Sequence, residues 1–576
     1  MSSSSEPILG EIPAAKSGVG SSDLRISSLF QQIARALRSA RSSFDLSALR
    51  RLLTDITFEL TKYGDVPLSG EAWRPRIEAF VTDVLYNVQI PPVFALDIRD
   101  IENDTAAMVD HLMESLVEPD GVKDVGSHFQ WHLQLASSCA KCPALPRIRA
   151  YGYYKLGDLR KQLPITPEVL AHFLPVIIFL LEGFREDDSG IAKAASDASL
   201  ALVKHFNITN ILHPGFEYAR KLVSIIDQPT FGGRTEVVKF RIFDFVKIVL
   251  AQHLGTVGDV LQLGLMEKLF ASFQTMDLLA LANNCEAIAE FADHPVGLDL
   301  LEESGGMRIA EDLLVAKKDS SELEYFAPYL FRLYISLAIK HPEYCILKRE
   351  KVTHVARDLI LQQGGHSGAA ALEYISQLAS QSHAGKRYLH NLIVAEGEGN
   401  GKPFMTPILE FMGKRLSGTI TQDPMDDACL RCFALLVRRV QPLTTPESDA
   451  ELQSINQAWF TTAGRGLFTA LFQKVRNPFK DVKIPVMAVF RSLAEQRWGL
   501  EVFRAEPGFL EYLMNRKSET DKEIKELKFD VVKAVTESAA LAEVLDSVTI
   551  VRLREFVQDG PFYVPGEYQV ASEGAS

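Results

Sequence analysis

Cysteine is scarce in this sequence, with six residues scattered through 576. That excludes a disulfide framework and points to a reducing compartment, cytoplasm or nucleus. Long apolar runs are missing as well. The most apolar stretch, Phe173 to Leu181, contains Pro175 and stops at Glu182, well short of the roughly 20 residues a membrane helix needs. Met1 to Gly20 is rich in Ser, Gly, Pro and Ala, without the basic start and apolar core of a signal peptide. Excess positive charge is also absent: 61 basic against 74 acidic side chains leave −13. Duplex nucleic acid and anionic membranes both require a basic surface, so neither is expected as the main ligand.

What is present is apolar residue in quantity, 47% against 23% charged, which excludes wholesale disorder. A prior of about 150 residues per domain predicts roughly four domains, unless the chain is a repeat array. From Ser22 onward the apolar period is close to that of a helix, and no alternating strand pattern stands out. Thr166-Pro167-Glu168 reads as a helix start: hydroxyl cap, proline at the first position, acid toward the dipole. Behind it Val169, Leu170, Phe173, Leu174, Ile177, Ile178 and Leu181 form one apolar face. Glu236 to Leu250 is apolar around most of its circumference, with Glu236, Lys239, Asp244 and Lys247 in one sector, so it should be contacted on several sides. Further helices are expected at Leu269–Ala292, Glu322–Lys340, Gly368–Ser380, Phe404–Leu416, Met425–Arg439, Asp481–Glu495 and Lys522–Glu537. Short turns separate them, as at Phe231-Gly232-Gly233-Arg234 and Arg476-Asn477-Pro478. Ala395 to Lys402 is the longest polar interruption and reads as a surface loop.

Three segments share a frame. Ile288–Ala292 leads to Gly297, Ile375–Ala379 to Gly385, and Val489–Ala494 to Gly499. Two copies add a second glycine nine residues on, Gly306 and Gly508. The frame predicts a helix end, a turn needing positive φ, a short capping helix and a second turn. Spacings of 88 and 114 residues match two to three units of roughly 40. The expected fold is therefore all-α, a curved armadillo/HEAT-type α-solenoid over 22–565, with polar tails at 1–21 and 566–576.

No motif supports catalysis or a cofactor. Cys139/Cys142 and Cys429/Cys432 are CxxC pairs, but they lie 290 residues apart without a histidine ladder. The second pair falls within a helix, where i,i+3 spacing places both thiols on one buried stripe. Cys285 and Cys345 read as packing. Around Gly397–Lys402 a phosphate loop would need glycine at 396 and a hydroxyl at 403, where Glu396 and Pro403 stand. Gly365-His366-Ser367-Gly368 lacks the strand–turn–helix context of a nucleophile elbow. The 13 histidines show no ligand spacing. An enzyme, a metal or a cofactor is not expected. Basic clusters at Arg35/Arg38/Arg41, Arg50/Arg51, Lys317/Lys318, Lys348/Arg349 and Arg438/Arg439 are short and read as solvated faces. If inner helices line a groove, Arg332, Lys340, Arg438 and Arg439 are the candidate partner-binding residues, meeting an acidic partner helix.

The carboxyl-terminal third carries a more specific signal. Ala458-Trp459-Phe460, Arg476-Asn477-Pro478-Phe479 and Val489–Ala494 are followed by Arg497-Trp498-Gly499 and Pro507-Gly508-Phe509-Leu510-Glu511-Tyr512-Leu513. Then come Leu527–Ala534, Val551-Arg552-Leu553-Arg554 and Gly560-Pro561-Phe562-Tyr563-Val564. In order and spacing, from about Met425 to Val564, these blocks resemble the proteasome non-ATPase regulatory subunit 5 family. The amino-terminal tail and the glycine-rich loop near Gly399 depart from the family pattern. The resemblance implies a non-catalytic assembly chaperone of the proteasome regulatory particle base. Such a protein binds the C-terminal small domain of one ATPase subunit, in a module with a second ATPase and a scaffold subunit, and leaves before the particle is complete. Trp459, Trp498, Gly508, Phe509 and Tyr512 read as packing of the last repeats. The rival readings are another armadillo/HEAT adaptor, for transport or phosphatase scaffolding, and an enzyme using the CxxC pairs.

Overall fold

The computed structural model describes isolated positions before 146 and then residues 146–563, with breaks at 163–164, 166, 228–234, 254, 272, 274–276, 317–319, 321, 363, 395–400, 419–422 and 441–444. Both expected tails, the Thr166 cap, the Gly232-Gly233 turn, Cys142 and the basic clusters at Arg35/Arg38/Arg41 and Lys317/Lys318 lie outside the described residues, as does Arg50. The chain divides into two compact units, Met1–Leu263 and Gly264–Ser576. Among the described residues it is all-α, an α-solenoid of stacked helices, apart from one two-stranded pairing.

The first unit contains α1 (Pro146–Asp158), α2 (Pro167–Glu182), α3 (Ser189–His205), α4 (Glu217–Asp227), α5 (Thr235–Ala251) and α6 (Val257–Gln262). Asp188 starts α3 by accepting the amides of Gly190 and Ile191. Helix α3 packs against α1 and α2, and α2 against α4. Phe173, Ile177, Leu180 and Leu181 of α2 are wholly buried, while Pro175 faces outward. Helix α5 is enclosed on several sides, as its sequence predicts: Val238, Ile242, Phe243, Phe245, Val246 and Val249 are buried. Lys239 in its polar sector is also buried, against Glu236.

The second unit opens with α7 (Leu265–Phe270) and then repeats a three-helix plan. The repeats are α8 (Leu278–Phe291), α9 (Pro295–Glu303), α10 (Gly306–Ala316); α11 (Leu323–Lys340), α12 (Pro342–Lys348), α13 (Glu350–Gln362); and α14 (Gly365–Gln381), α15 (His383–Asn391), α16 (Met405–Ser417). They continue as α17 (Pro424–Leu436), α18 (Pro446–Ala463), α19 (Leu467–Lys474); α20 (Lys480–Ala494), α21 (Arg497–Ala505), α22 (Phe509–Met514); and α23 (Lys522–Glu537), α24 (Leu541–Val544), α25 (Ser547–Asp559). The first helix of each repeat packs on the first of the next, so α8, α11, α14, α17, α20 and α23 form one continuous layer. Tyr334 and Tyr374 meet within it, ring centroids 6.2 Å apart. Carboxylates tie repeats together as well. Glu324 of α11 accepts the His366 amide (2.7 Å) and the Ser367 hydroxyl at the start of α14.

Two expectations change, and a third falls largely outside the described residues. The apolar run Leu269–Ala292 is not one continuous helix: α7 ends at Phe270, and Asp277 accepts the amides of Leu279 and Ala280 and starts α8 afresh. Of the expected loop Ala395–Lys402, residues 395–400 lie outside the described residues; on either side Ile393–Val394 (β1) pairs with Lys402–Pro403 (β2), antiparallel with Ile393 opposite Pro403. Most informative are the frame glycines. Gly297, Gly385 and Gly499 do not have positive φ; each lies in the first turn of a short helix. A Cβ there would fall 1.9 Å from Phe291 O, 2.1 Å from Leu378 O and 2.1 Å from Leu493 O respectively. Glycine is needed because the short helix presses against the last turn of the preceding long one. Only the second turn uses the left-handed region, at Gly305 (φ 72°) and Gly508 (φ 79°).

Candidate functional site

A polar cleft of about 420 Å³ opens where α17, α18, α20, α21 and α23 come together. Its foundation is a buried network. Lys386, fully buried on α15, donates from Nζ to Leu436 O (3.0 Å), Arg438 O (2.6 Å) and Asn456 Oδ1 (2.7 Å). Asn456 Nδ2 donates to Gln496 Oε1 (2.9 Å), and Gln496 Nε2 to Val437 O (2.8 Å) and Ser492 O (2.9 Å). Trp498 Nε1 completes it on Gln496 Oε1 at 3.1 Å. These side chains satisfy carbonyls left open where α17 ends, and so set the positions of α15, α18, α20 and α21 around that end. Burial pushes the Lys386 amine down to about 7, with the nearby Arg438 charge adding to the effect.

The cleft walls are sequence neighbours of this network: Arg439, Gln453, Glu495 and Arg497. Asp449, Arg491, Asp530, Lys533 and Glu537 supply the remaining charges, and Ala534, Ser538, Ala539 and Ala540 the small surface. Several charges are already matched. Arg439 forks onto Asp449, 2.8 Å on both arms, and Gln453 supports the same carboxylate at 2.9 Å. Arg497 pairs with Glu543 (3.0 Å), and Lys533 stands 3.9 Å from Glu537. Arg491 is exposed, Glu495 and Asp530 are half-buried, and none of the three has an ion pair or hydrogen bond among the described residues.

The four candidate residues fall in two places. Arg332 is exposed midway along α11, and Lys340 at its end pairs with Asp293. Arg438 and Arg439 form the turn after α17. Arg439 enters the cleft, whereas Arg438 is exposed and lends its carbonyl to the network. Arg491, Glu495 and Asp530 escaped sequence reasoning although they lie inside or beside the quoted blocks Val489–Ala494 and Leu527–Ala534. The available signal was an Arg–Glu spacing of four residues running from the last turn of α20 to its C-cap.

The thiols behave as packing. Cys139, Cys285, Cys345, Cys429 and Cys432 are all buried. Burial pushes the Cys432 thiol up to about 12 and Cys429 higher still. Among the described residues no group of three or more His, Cys, Asp or Glu is placed to hold a metal, and no helix is long and apolar enough to cross a membrane. Trp459, Trp498 and Phe509 are buried. Phe509 is the hub of an aromatic cluster, with ring centroids 4.9 Å from Phe468, 4.9 Å from Phe490 and 4.7 Å from Phe503. Tyr512 donates to Glu519 (2.8 Å), and burial raises its phenol. Lys528 holds the turn between α22 and α23 through Asn515 O (2.5 Å) and Ser518 Oγ (2.7 Å).

Comparison with known proteins covers this same region. The sequence profile of the family described as "Proteasome non-ATPase 26S subunit" matches residues 172–576. The bovine protein named 26S proteasome non-ATPase regulatory subunit 5 is 23% identical over 429 residues, 73% of this chain and 79% of that one. Its human counterpart is 21% identical over 425 residues, with the same shares. Among solved structures, a mutant of Kap121p superposes with a TM-score of 0.49 at 11% identity, over 93% of this chain and 54% of the other. With the profile spanning every repeat of the second unit and the cleft within it, this chain belongs to the proteasome non-ATPase 26S subunit family.

Proposed function

We propose that this protein is a non-catalytic chaperone for assembly of the proteasome regulatory particle base. In this reading it holds the C-terminal small domain of an ATPase subunit, in a module with an associated scaffold subunit, and is released before the particle is complete. The observation that carries the reading is the family match over residues 172–576, whose relatives are named non-ATPase regulatory subunits. Physical form supports it. A layer of stacked first helices offers an extended side-chain surface, and a polar cleft gives specificity without permanent binding. Cytoplasmic localisation, with access to the nucleus, accords with the scarcity of cysteine. The test is a pull-down of the full chain with each isolated proteasome ATPase small domain. Selective capture of one of them supports the proposal; capture of none overturns it.

A further inference from the structure

The cleft is neutral in composition, four basic and four acidic side chains, but not in pairing. Arg439, Arg497 and Lys533 are matched by Asp449, Glu543 and Glu537. What remains is one guanidinium, Arg491, and two carboxylates, Glu495 and Asp530. Arg491 in the last turn of α20 and Glu495 at its C-cap are four residues apart, yet no ion pair joins them. The neighbouring Asp427–Arg431 pair on α17, with the acid first, closes to 2.9 Å. Base-first pairs beside them do close, Arg497 with Glu501 at 3.4 Å and Lys533 with Glu537 at 3.9 Å, so the open Arg491–Glu495 pair is a property of this site and not of residue order. These charges therefore stay available within a concave setting whose other members are occupied.

We propose that Glu495 and Asp530 together receive one basic side chain of a partner helix, while Arg491 receives a carboxylate one turn away on that helix. The cleft thus reads a basic–acidic pair on a protein surface. This rests on the reading of the chain as a chaperone of an ATPase small domain, and that domain is the occupant. Two carboxylates beside one guanidinium disfavour a phosphate or a nucleotide. The polar lining disfavours an apolar ligand. Ala534, Ala539 and Ala540 along one wall leave room for a helix to approach closely.

The experiment uses the full chain and the panel of isolated ATPase small domains, with affinity measured by calorimetry at low and high salt. The variants are Glu495→Lys with Asp530→Lys, Arg491→Glu, the milder Glu495→Gln with Asp530→Asn, and Lys522→Glu as an exposed control outside the cleft. Thermal melts confirm that each is folded. Each charge-reversing variant is expected to weaken binding roughly thirtyfold or more. The neutral pair should flatten the salt dependence, and the control should bind as the parent does. If a small domain binds the parent and the folded cleft variants equally well, the charge-pair inference is overturned while the chaperone reading stands. If no small domain binds the parent, the chaperone reading fails and takes this inference with it.

Discussion

At the scale of single residues, Lys386 shows how a charged side chain can be placed in a core. Its three acceptors, Leu436 O, Arg438 O and Asn456 Oδ1, lie within 3.0 Å, and two of them belong to the chain end of α17. The negative end of a helix offsets part of the cost of burying this amine without a carboxylate, while desolvation still lowers its pKa. Lys386→Met should cost about 3 kcal/mol in denaturant unfolding, since it removes the donor shared by Leu436 O, Arg438 O and Asn456 Oδ1 and leaves Arg438 O only the 3.4 Å bond from Asn456 Nδ2. The pH dependence has a definite sign. The amine falls from an ordinary 10.5 to about 7 on folding, so between those values the unfolded chain binds the extra proton and stability rises with pH. The stabilisation is complete above 10.5 and is lost as pH falls through 7. Urea midpoints taken at pH 7 and pH 9 should separate in the parent and draw together in Lys386→Met; equal separation in both would remove Lys386 as the cause.

At the scale of elements, the repeat is set by how a short helix docks on a long one. The sequence frame around Gly297, Gly385 and Gly499 was legible, but its physical reason was not. A glycine after a helix ordinarily signals a left-handed turn, whereas here the constraint is a carbonyl about 2 Å from where a Cβ would sit. The two kinds of glycine can be told apart by substitution. Gly499→Ala must push α21 away from Leu493 and should cost roughly 2–4 kcal/mol. Gly508→Ala meets nothing within 4 Å and should cost only the left-handed backbone term, about 1 kcal/mol. Thermal unfolding of the two variants checks the order, and a larger loss at Gly508 would reverse the assignment. The same limit explains Leu269–Ala292, where apolar periodicity runs through Asp277 although that side chain begins a new helix.

At the scale of the whole molecule, the second unit stacks repeats in one direction, each touching its neighbours. Stability in such an array is a sum of local terms, so damage stays near its origin. Phe509 joins α19, α20, α21 and α22 through its ring contacts. Phe509→Ala should cost about 3–5 kcal/mol locally. Hydrogen exchange should show protection lost over 467–563 while α8, α11 and α14 keep theirs; an even loss across 278–563 would mean that the repeats unfold as one block.

Helix class, helix starts such as that at Lys522, the repeat frame and the family blocks were all readable from the chain alone. Helix formation rests on contacts within about four residues and on one apolar face, both written locally. The partner-facing site was not readable in this way. Arg439, Arg491 and Asp530 share one cleft because α17, α20 and α23 stack at the register held by Lys386, Asn456 and Gln496. Which cations are already neutralised, as Lys340 is by Asp293 and Arg439 by Asp449, depends on approaches between distant segments. Composition and periodicity carry no information about such approaches; only tertiary packing decides them.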